Sequence, residues 1–186
     1  MKITVFMATS LDGFIADEDG GVDWLNDLPP LEDPHEDLGF GALMKSIDRL
    51  VMGRMTFNQV VGFGSWAYGV TPVTVLSHQP PPPTLPEGAV ISFAQGSPEA
   101  LIQQFESDGD KHIYLDGGNV IQGFLAAGFI DEFILTQVPV LLGKGISLFK
   151  EELPTEVWSV KEVTNYPNGF VQTHLIKKSQ TISLAP

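Results

Sequence analysis

Two hydrophobic periods alternate along this chain, and their order constrains the fold more than any single motif. Short β-branched and apolar runs alternate with stretches of helical period as far as Gly128, and only strand-like runs follow. Residues 3–9 read as a buried strand. Phe40, Leu43, Met44 and Ile47 then recur at i, i+3, i+4 and i+7, the stripe of an amphipathic helix that begins near Asp37. Residues 49–53 form a second strand, and Thr56 is placed to cap a short helix bearing Phe57, Val60 and Val61. Strands at 73–77 and 90–93 flank a polyproline run at 80–83, read as an extended loop or, less simply, as a ligand for an SH3-type domain. Ser97-Pro98-Glu99 has the cap, first-turn proline and acid of a helix start. A strand at 112–115 ends in Asp116-Gly117-Gly118, Asn119 opens a helix, and Gly128 suits its C-terminal cap. Residues 133–142 read as a long apolar strand interrupted at Pro139, consistent with an edge strand or a bulge. Residues 157–163 and 169–176 form a closing antiparallel pair around Pro167-Asn168-Gly169. The class expected is α/β: a central mixed sheet, mainly parallel with antiparallel C-terminal strands, flanked by helices.

No repeat or linker divides the 186 residues, so one domain is expected over 1–186, with its core at about 2–178. The chain lacks cysteine, which excludes disulfides, thiol catalysis and thiolate metal sites. His35, His78, His112 and His174 have no ligand spacing, and no metal site is expected. The amino terminus has no signal-peptide pattern and no apolar run approaches a membrane span, so a cytoplasmic protein without a membrane partner is expected. Twenty-three acidic against ten basic residues give a net charge of −13, which disfavours nucleic acid. No Lys or Arg lies between Lys2 and Lys45. An anionic ligand must therefore be held locally, by backbone N–H groups and a few bases. Only Arg49 and Arg54 carry guanidinium groups.

Three junctions follow strands: Gly53-Arg54-Met55-Thr56, Ser77-His78 and Asp116-Gly117-Gly118-Asn119. Parallel sheets bind ligands at the carboxyl ends of their strands, where helix N-termini offer free N–H groups to a phosphate. Neither a G-x-G-x-x-G fingerprint nor a G-x-x-x-x-G-K-[ST] loop is present, and Ser65 lacks a hydrolase elbow. Trp66 and Tyr68 read as loop packing or as a lid over substrate.

Four motifs in this order carry a resemblance: Ser10-Leu11-Asp12-Gly13-Phe14-Ile15-Ala16, Val51-Met52-Gly53-Arg54-Met55-Thr56-Phe57, Tyr114-Leu115-Asp116-Gly117-Gly118, and Ile130-Asp131-Glu132 continuing to Val138-Pro139-Val140-Leu141-Leu142-Gly143. Over residues 2–178 the chain resembles the dihydrofolate reductase superfamily, and most closely its RibD C-terminal-domain-like branch. That resemblance implies an NADPH-dependent reductase. Gly53, Arg54 and Thr56 match positions that hold the adenosine-side phosphates, with Arg54 meeting the 2′-phosphate; the alternative reading of Arg54 is a solvated surface arginine. Ser77 and His78 match the junction beside the adenine ribose, although His78 also reads as a plain loop residue. Gly117, Gly118, Asn119, Val120 and Ile121 match the turn and helix start facing the pyrophosphate. Ala8, Ile15 and Ala16 match the strand and loop where the nicotinamide lies.

On the substrate side, Asp37 stands sixteen residues before Gly53, where the resemblance implies an acid that bonds the ring and assists its protonation. A half-buried carboxylate there would hold a proton readily. The alternative is that Asp37 caps the helix. Thr136 matches a substrate-side threonine, or is an ordinary strand residue. Lys144 is the candidate cation for a ribosyl phosphate, and Asp12 is read first as bonding its local backbone. The reaction implied is hydride transfer to a small heterocyclic partner, of the 5-amino-6-(5-phosphoribosylamino)uracil reductase type of riboflavin biosynthesis. A dihydrofolate-type or other pteridine reductase is the enzymatic alternative, and a non-catalytic NADPH-binding module the alternative of another class. The apolar run at 133–142 exceeds what one sheet face needs, and a homodimer is expected from it.

Overall fold

Complete burial of Val5 fixes the middle of the sheet: β1 (Lys2–Thr9) can lose all contact with water only between two strands and two layers of helices. The computed structural model describes residues 1–178 apart from 29, 34, 151, 152 and 154. After β1 and a short β2 (Phe14–Ala16) come α1 (Phe40–Ser46), β3 (Arg49–Gly53), α2 (Arg54–Gly62), β4 (Val73–Leu76) and β5 (Ile91–Ala94). The chain continues through α3 (Pro98–Asp108), β6 (His112–Asp116), α4 (Gly118–Ala126), β7 (Glu132–Gln137), β8 (Ile146–Ser147), β9 (Trp158–Asn165) and β10 (Val171–Lys177). Eight strands form one sheet in the order β5-β4-β3-β6-β1-β7-β10-β9. Pairing is parallel from β5 to β7 and antiparallel at β7/β10 and β10/β9, as the period analysis anticipates. Leu101 and Phe105 of α3 with Ile121 and Phe124 of α4 cover one face; Leu43 of α1 with Phe57 and Val60 of α2 pack on the other.

Three local expectations are corrected. Helix α2 starts at Arg54, with Gly53 in the cap position and no side-chain cap, so Thr56 lies inside the first turn instead of closing it. Helix α4 starts one residue early, at Gly118, although Gly128 does end it in a left-handed turn. The strand at 133–142 stops at Gln137. Val140 N–H turns back on the Val138 carbonyl, and the Val140 carbonyl accepts from Leu11, so residues 138–142 leave the sheet. Pro139 has no N–H with which to continue the ladder. Strand β7 is also interior: β10 pairs with it, and the Trp158 ring lies 4.8 Å from that of Phe133. Of the apolar residues that suggested a second copy, Val138 is buried in the chain's own core, whereas Leu141 is 70% exposed. The short β2/β8 ribbon and a 3-10 turn at Asp23–Leu25 were not anticipated, since neither is long enough to show a period.

At the amino edge of the sheet Glu132 is buried but ionised. Burial alone would raise its pKa, yet Lys2 Nζ at 2.6 Å, His174 Nε2 at 2.5 Å and the Thr4 hydroxyl at 2.9 Å outweigh it and bring the value down to about 2. A carboxylate whose folded pKa lies below its unfolded one contributes stability above about pH 4.5, and that contribution is lost as pH falls toward 2. We expect the unfolding free energy from urea denaturation to drop through that window by an amount on the order of 2–3 kcal/mol. Glu132→Gln should lower stability at pH 7 and flatten the acid limb, both read from denaturation curves at several pH values.

Candidate active site

Strands β3 and β6 are neighbours in the sheet, with Met52 opposite Asp116, so the two turns that leave their carboxyl ends lie side by side. Gly117 adopts φ +87°, a region that costs most side chains free energy, and a β-carbon there would run into the Thr56 hydroxyl. On Gly118 it would come within 2.8 Å of Ile15 Cδ1. Gly117 is thus demanded by its backbone and the close approach of α2, while a β-carbon on Gly118 would require the end of the Ile15 side chain to shift. The N-termini of α2 and α4 lie side by side with no side-chain cap, presenting their first-turn N–H groups and the positive ends of two helix dipoles. Gly53, Thr56, Gly117 and Gly118 are brought together as expected from the sequence. Asn119 is exposed at the rim, its Oδ1 3.5 Å from Lys150 Nζ. Val120 and Ile121 direct their side chains into the core, and Ile121 N–H donates to the Gly117 carbonyl, so these two support the turn from behind.

Arg54 is not a solvated surface residue. Its guanidinium lies 5.3 Å from the Phe93 ring centroid and 6.0 Å from that of Phe57, and Nη2 donates to the Pro80 carbonyl at 2.9 Å. Nη1 is buried with no hydrogen-bond partner, and among the described residues no carboxylate pairs with the group. A cation held by aromatic faces, with an orphaned donor and no counter-ion, is prepared for an anion. The polyproline run has its place here, as the strap that accepts from Arg54. Ser77 and His78 lie on the loop that leads to Pro80; the Ser77 hydroxyl accepts from Gln79 N–H, and His78 Nδ1 is 3.0 Å from Gln95 Oε1.

The remaining candidates lie across β1. Ala8 pairs with Thr136 in the sheet, and Ile15 reaches the start of α4, while Ala16 is buried in the β2/β8 ribbon. Asp37 is exposed, contrary to the half-buried carboxylate expected. Its two oxygens accept from Gly39 N–H at 2.9 Å and Gly41 N–H at 2.8 Å, so it closes the start of α1 from outside the cap position, which Gly39 occupies. Thr136 is buried, and its hydroxyl accepts from the Gln172 amide at 3.0 Å; the same amide donates to the Leu38 carbonyl at 2.9 Å. Gln172 thereby fastens the 37–39 segment to the sheet. Leu38 beside it has φ 58°, a strained conformation for a residue with a branched side chain. A cavity of about 90 Å³ opens beneath this segment, bordered by Phe6, Ile134 and His174. A larger open concavity of about 580 Å³ lies at the amino edge around Met1 and Asp131, remote from every strand-to-helix turn. Lys144 is exposed and paired with Glu18 at 2.5 Å. Asp12 bonds within its own turn, accepting from the Ser10 hydroxyl, and also holds distant backbone, accepting from the Leu142 and Gly143 N–H groups.

The half-buried acid expected at position 37 is found at 116. Burial at the carboxyl end of β6 pushes Asp116 up to about 6, against the opposing pull of the Gly117 N–H and the Tyr68 hydroxyl. Asp116 was read from the sequence only as the end of a strand. Its burial depends on Tyr68, which reaches it from a loop without any period.

With this geometry in place, the comparisons with known proteins are specific. The model of the RibD C-terminal domain matches residues 1–172. The chain belongs to the RibD C-terminal domain family. Its relatives include two uncharacterised proteins of Bacillus subtilis (strain 168). YwjB is 29% identical, with 95% of this chain and 98% of that protein covered; YyaP is 28% identical, with 92% of each covered. A solved structure from Shewanella sp. PV-4, named only provisionally for riboflavin biosynthesis, shares 38% identity and a TM-score of 0.87, covering 96% of this chain and 99% of its own. The Thermotoga maritima deaminase and 5-amino-6-(5-phosphoribosylamino)uracil reductase shares the fold, with a TM-score of 0.74 at 14% identity over 95% of this chain and 56% of its own. As a RibD C-terminal domain, the chain is of a reductase family related to riboflavin biosynthesis. No helix among its described residues is long and apolar enough to cross a membrane.

The Tyr68–Asp116 contact makes a direct prediction. The tyrosine hydroxyl favours the carboxylate, so Tyr68→Phe should move the Asp116 titration midpoint above 6, followed by carboxyl carbon-13 NMR. An unchanged midpoint would remove Tyr68 from the site's electrostatics.

Proposed function

We propose that this RibD C-terminal domain is an NADPH-dependent reductase that transfers hydride to a conjugated C=N or C=O of a small heterocycle. The observation that carries the reading is Arg54: a partly buried guanidinium without a counter-ion, beside two helix N-termini and a turn whose glycines leave room for a close-lying phosphate. These residues fit a dinucleotide. Gly117, Gly118 and the start of α4 would hold its pyrophosphate, and Arg54 with Ser77 and His78 the phosphorylated ribose. Ala8 and Ile15 would border its nicotinamide, whose chemistry when bound is to supply hydride.

The chain's own residues supply position and a proton. Asp37 and Gln172 shape the wall over Thr136. Asp116, with its pKa at about 6, is the group able to hold and release a proton at physiological pH, and we assign it that role. Asp37, with both oxygens engaged by backbone N–H groups, is assigned to ordering the wall. The substrate named for the Thermotoga relative, a phosphoribosylaminouracil, is the first compound to test.

Two measurements follow. Arg54→Ala should weaken NADPH by about one to two decades while sparing NADH, because only NADPH presents the extra phosphate. Calorimetric titration with both cofactors checks this; equal losses would assign Arg54 to the fold. Where protonation limits the rate, a general acid must be protonated, so turnover should fall as pH rises through about 6. Asp116→Asn should abolish that limb and cost about two to four decades, whereas Asp37→Asn should keep it. Thermal stabilisation by NADPH without any turnover would instead favour a binding module.

A further inference from the structure

We infer that the cavity beneath Leu38 is a subsite for an amino group carried by the substrate ring, and that His174 is the residue that reads it. The inference rests on the reductase reading above and on rows of side chains that the sheet register sets out on the face under α1. Alternate residues of a strand share a face, so residues paired across β1, β7, β10 and β9 make rows. Ala8, Thr136, Gln172 and Thr164 form the row nearest the ligand edge. Phe6, Ile134, His174 and Glu162 form the next, and all four border the cavity of about 90 Å³. Thr4 and Glu132 belong to the third. The cavity therefore lies one row beyond Thr136 toward the amino edge, under the same Leu38 that Gln172 holds. Its volume equals about three waters, enough for a substituent of a ring and too little for the ring itself.

The walls of this cavity are made to accept hydrogen bonds. Glu132 is ionised and has no proton to give, so His174 Nε2 must donate across their 2.5 Å contact. Lys2 and the Thr4 hydroxyl take the other carboxylate oxygen and hold Glu132 in place. A neutral imidazole that donates from Nε2 keeps its lone pair on Nδ1. Among the described residues Nδ1 has no hydrogen-bond partner, although the side chain is only 18% exposed. Glu162 adds a carboxylate to the same row. Burial raises the Tyr166 pKa, and Glu36, Glu162 and Asp37 add to it, which brings three carboxylates together around one ring. The Gln172 amide is already spent on Leu38 and Thr136, and the Thr164 hydroxyl can serve either way. A methyl or a carbonyl entering here would leave acceptors unpaired, whereas an amine supplies two N–H bonds. Glu132 is in this account a positioning residue, which acts by fixing the His174 tautomer.

Two matched pairs of rings test this: 5-aminouracil against 5-methyluracil, and 6-aminouracil against 6-methyluracil. Each is titrated by NMR into the full chain saturated with NADPH, at about pH 8.5, above the ordinary imidazole range. In at least one pair the amine should bind about tenfold or more tightly than the methyl compound. His174→Phe keeps the bulk but removes the acceptor, and should abolish that preference while the methyl compound binds as before. His174→Asn, which sets an oxygen near the place of Nδ1, should restore part of it. Glu162→Gln, on the exposed edge strand, should cut the preference about threefold without touching the buried cluster. Nitrogen-15 NMR should show His174 protonated at Nε2 and bare at Nδ1. Four results overturn the inference: no preference in either pair, a preference that His174→Phe or Glu162→Gln leaves intact, equal weakening of both members by His174→Phe, or a protonated Nδ1 at that pH. Failure of NADPH to bind, read beforehand, removes the reductase reading instead; the pairs are then titrated into the free chain, where the same results decide the subsite.

Discussion

The contact between Thr56 and Gly117 is where the two halves of the ligand edge meet. Helix α2 can start beside the turn after β6 only because Gly117 has no β-carbon, and Gly117 can take its left-handed conformation for the same reason. Parallel pairing of β3 with β6 brings the two junctions to one level, and the glycine lets them touch. From that contact follow two adjacent helix N-termini, the exposure of their free N–H groups, and the position of Asp116 one residue before the turn. A side chain at 117 would separate the helices and move the acid together with the anion site. Positive potential from the dipoles and the burial that raises Asp116 therefore have one geometric origin.

Much of this architecture was legible in the chain because it rests on long, regular periods. The alternation of strand and helix runs predicts the parallel half of the sheet and the antiparallel end. The Ser97 cap and the Gly128 stop are found where local chemistry puts them. Errors collect where the backbone answers to distant partners. Pro139 looked like an interruption within one strand, but the turn made by Val138 and Val140 belongs to a contact with Leu11. Asp12 looked like a turn residue bonding itself, yet it also holds Leu142 and Gly143 from 130 positions away. No window along the sequence contains both partners of such bonds.

The site was legible to different depths for the same reason. Its cofactor half is made of glycines and one scarce arginine, residues whose rarity or conformation limits what they can be doing. The aromatic sandwich around Arg54 could not be read, because Phe93 comes from another strand, and neither could the role of the polyproline strap that accepts from it. On the substrate half, Asp37 was identified as a residue at a helix start and as an acid near a ring. Burial was the property that separated those roles, and it belongs to Asp116 through Tyr68. Sequence carries the type of a titratable group; its environment is a property of the fold.

The two halves also differ in how they are held, and this bears on how such a domain adapts. Gly53, Gly117 and Gly118 sit on the ends of buried strands, so their positions follow from a core that includes Val51, Leu115 and Ile121. The substrate wall is assembled from segments near residues 12, 37 and 142, fastened by polar tethers: Asp12 to Gly143 and Gln172 to Leu38. A change in one tether moves one piece of wall and leaves the sheet intact, whereas a change in a cradle glycine disturbs two helices at once. Substrate choice can drift while the cofactor cradle stays fixed.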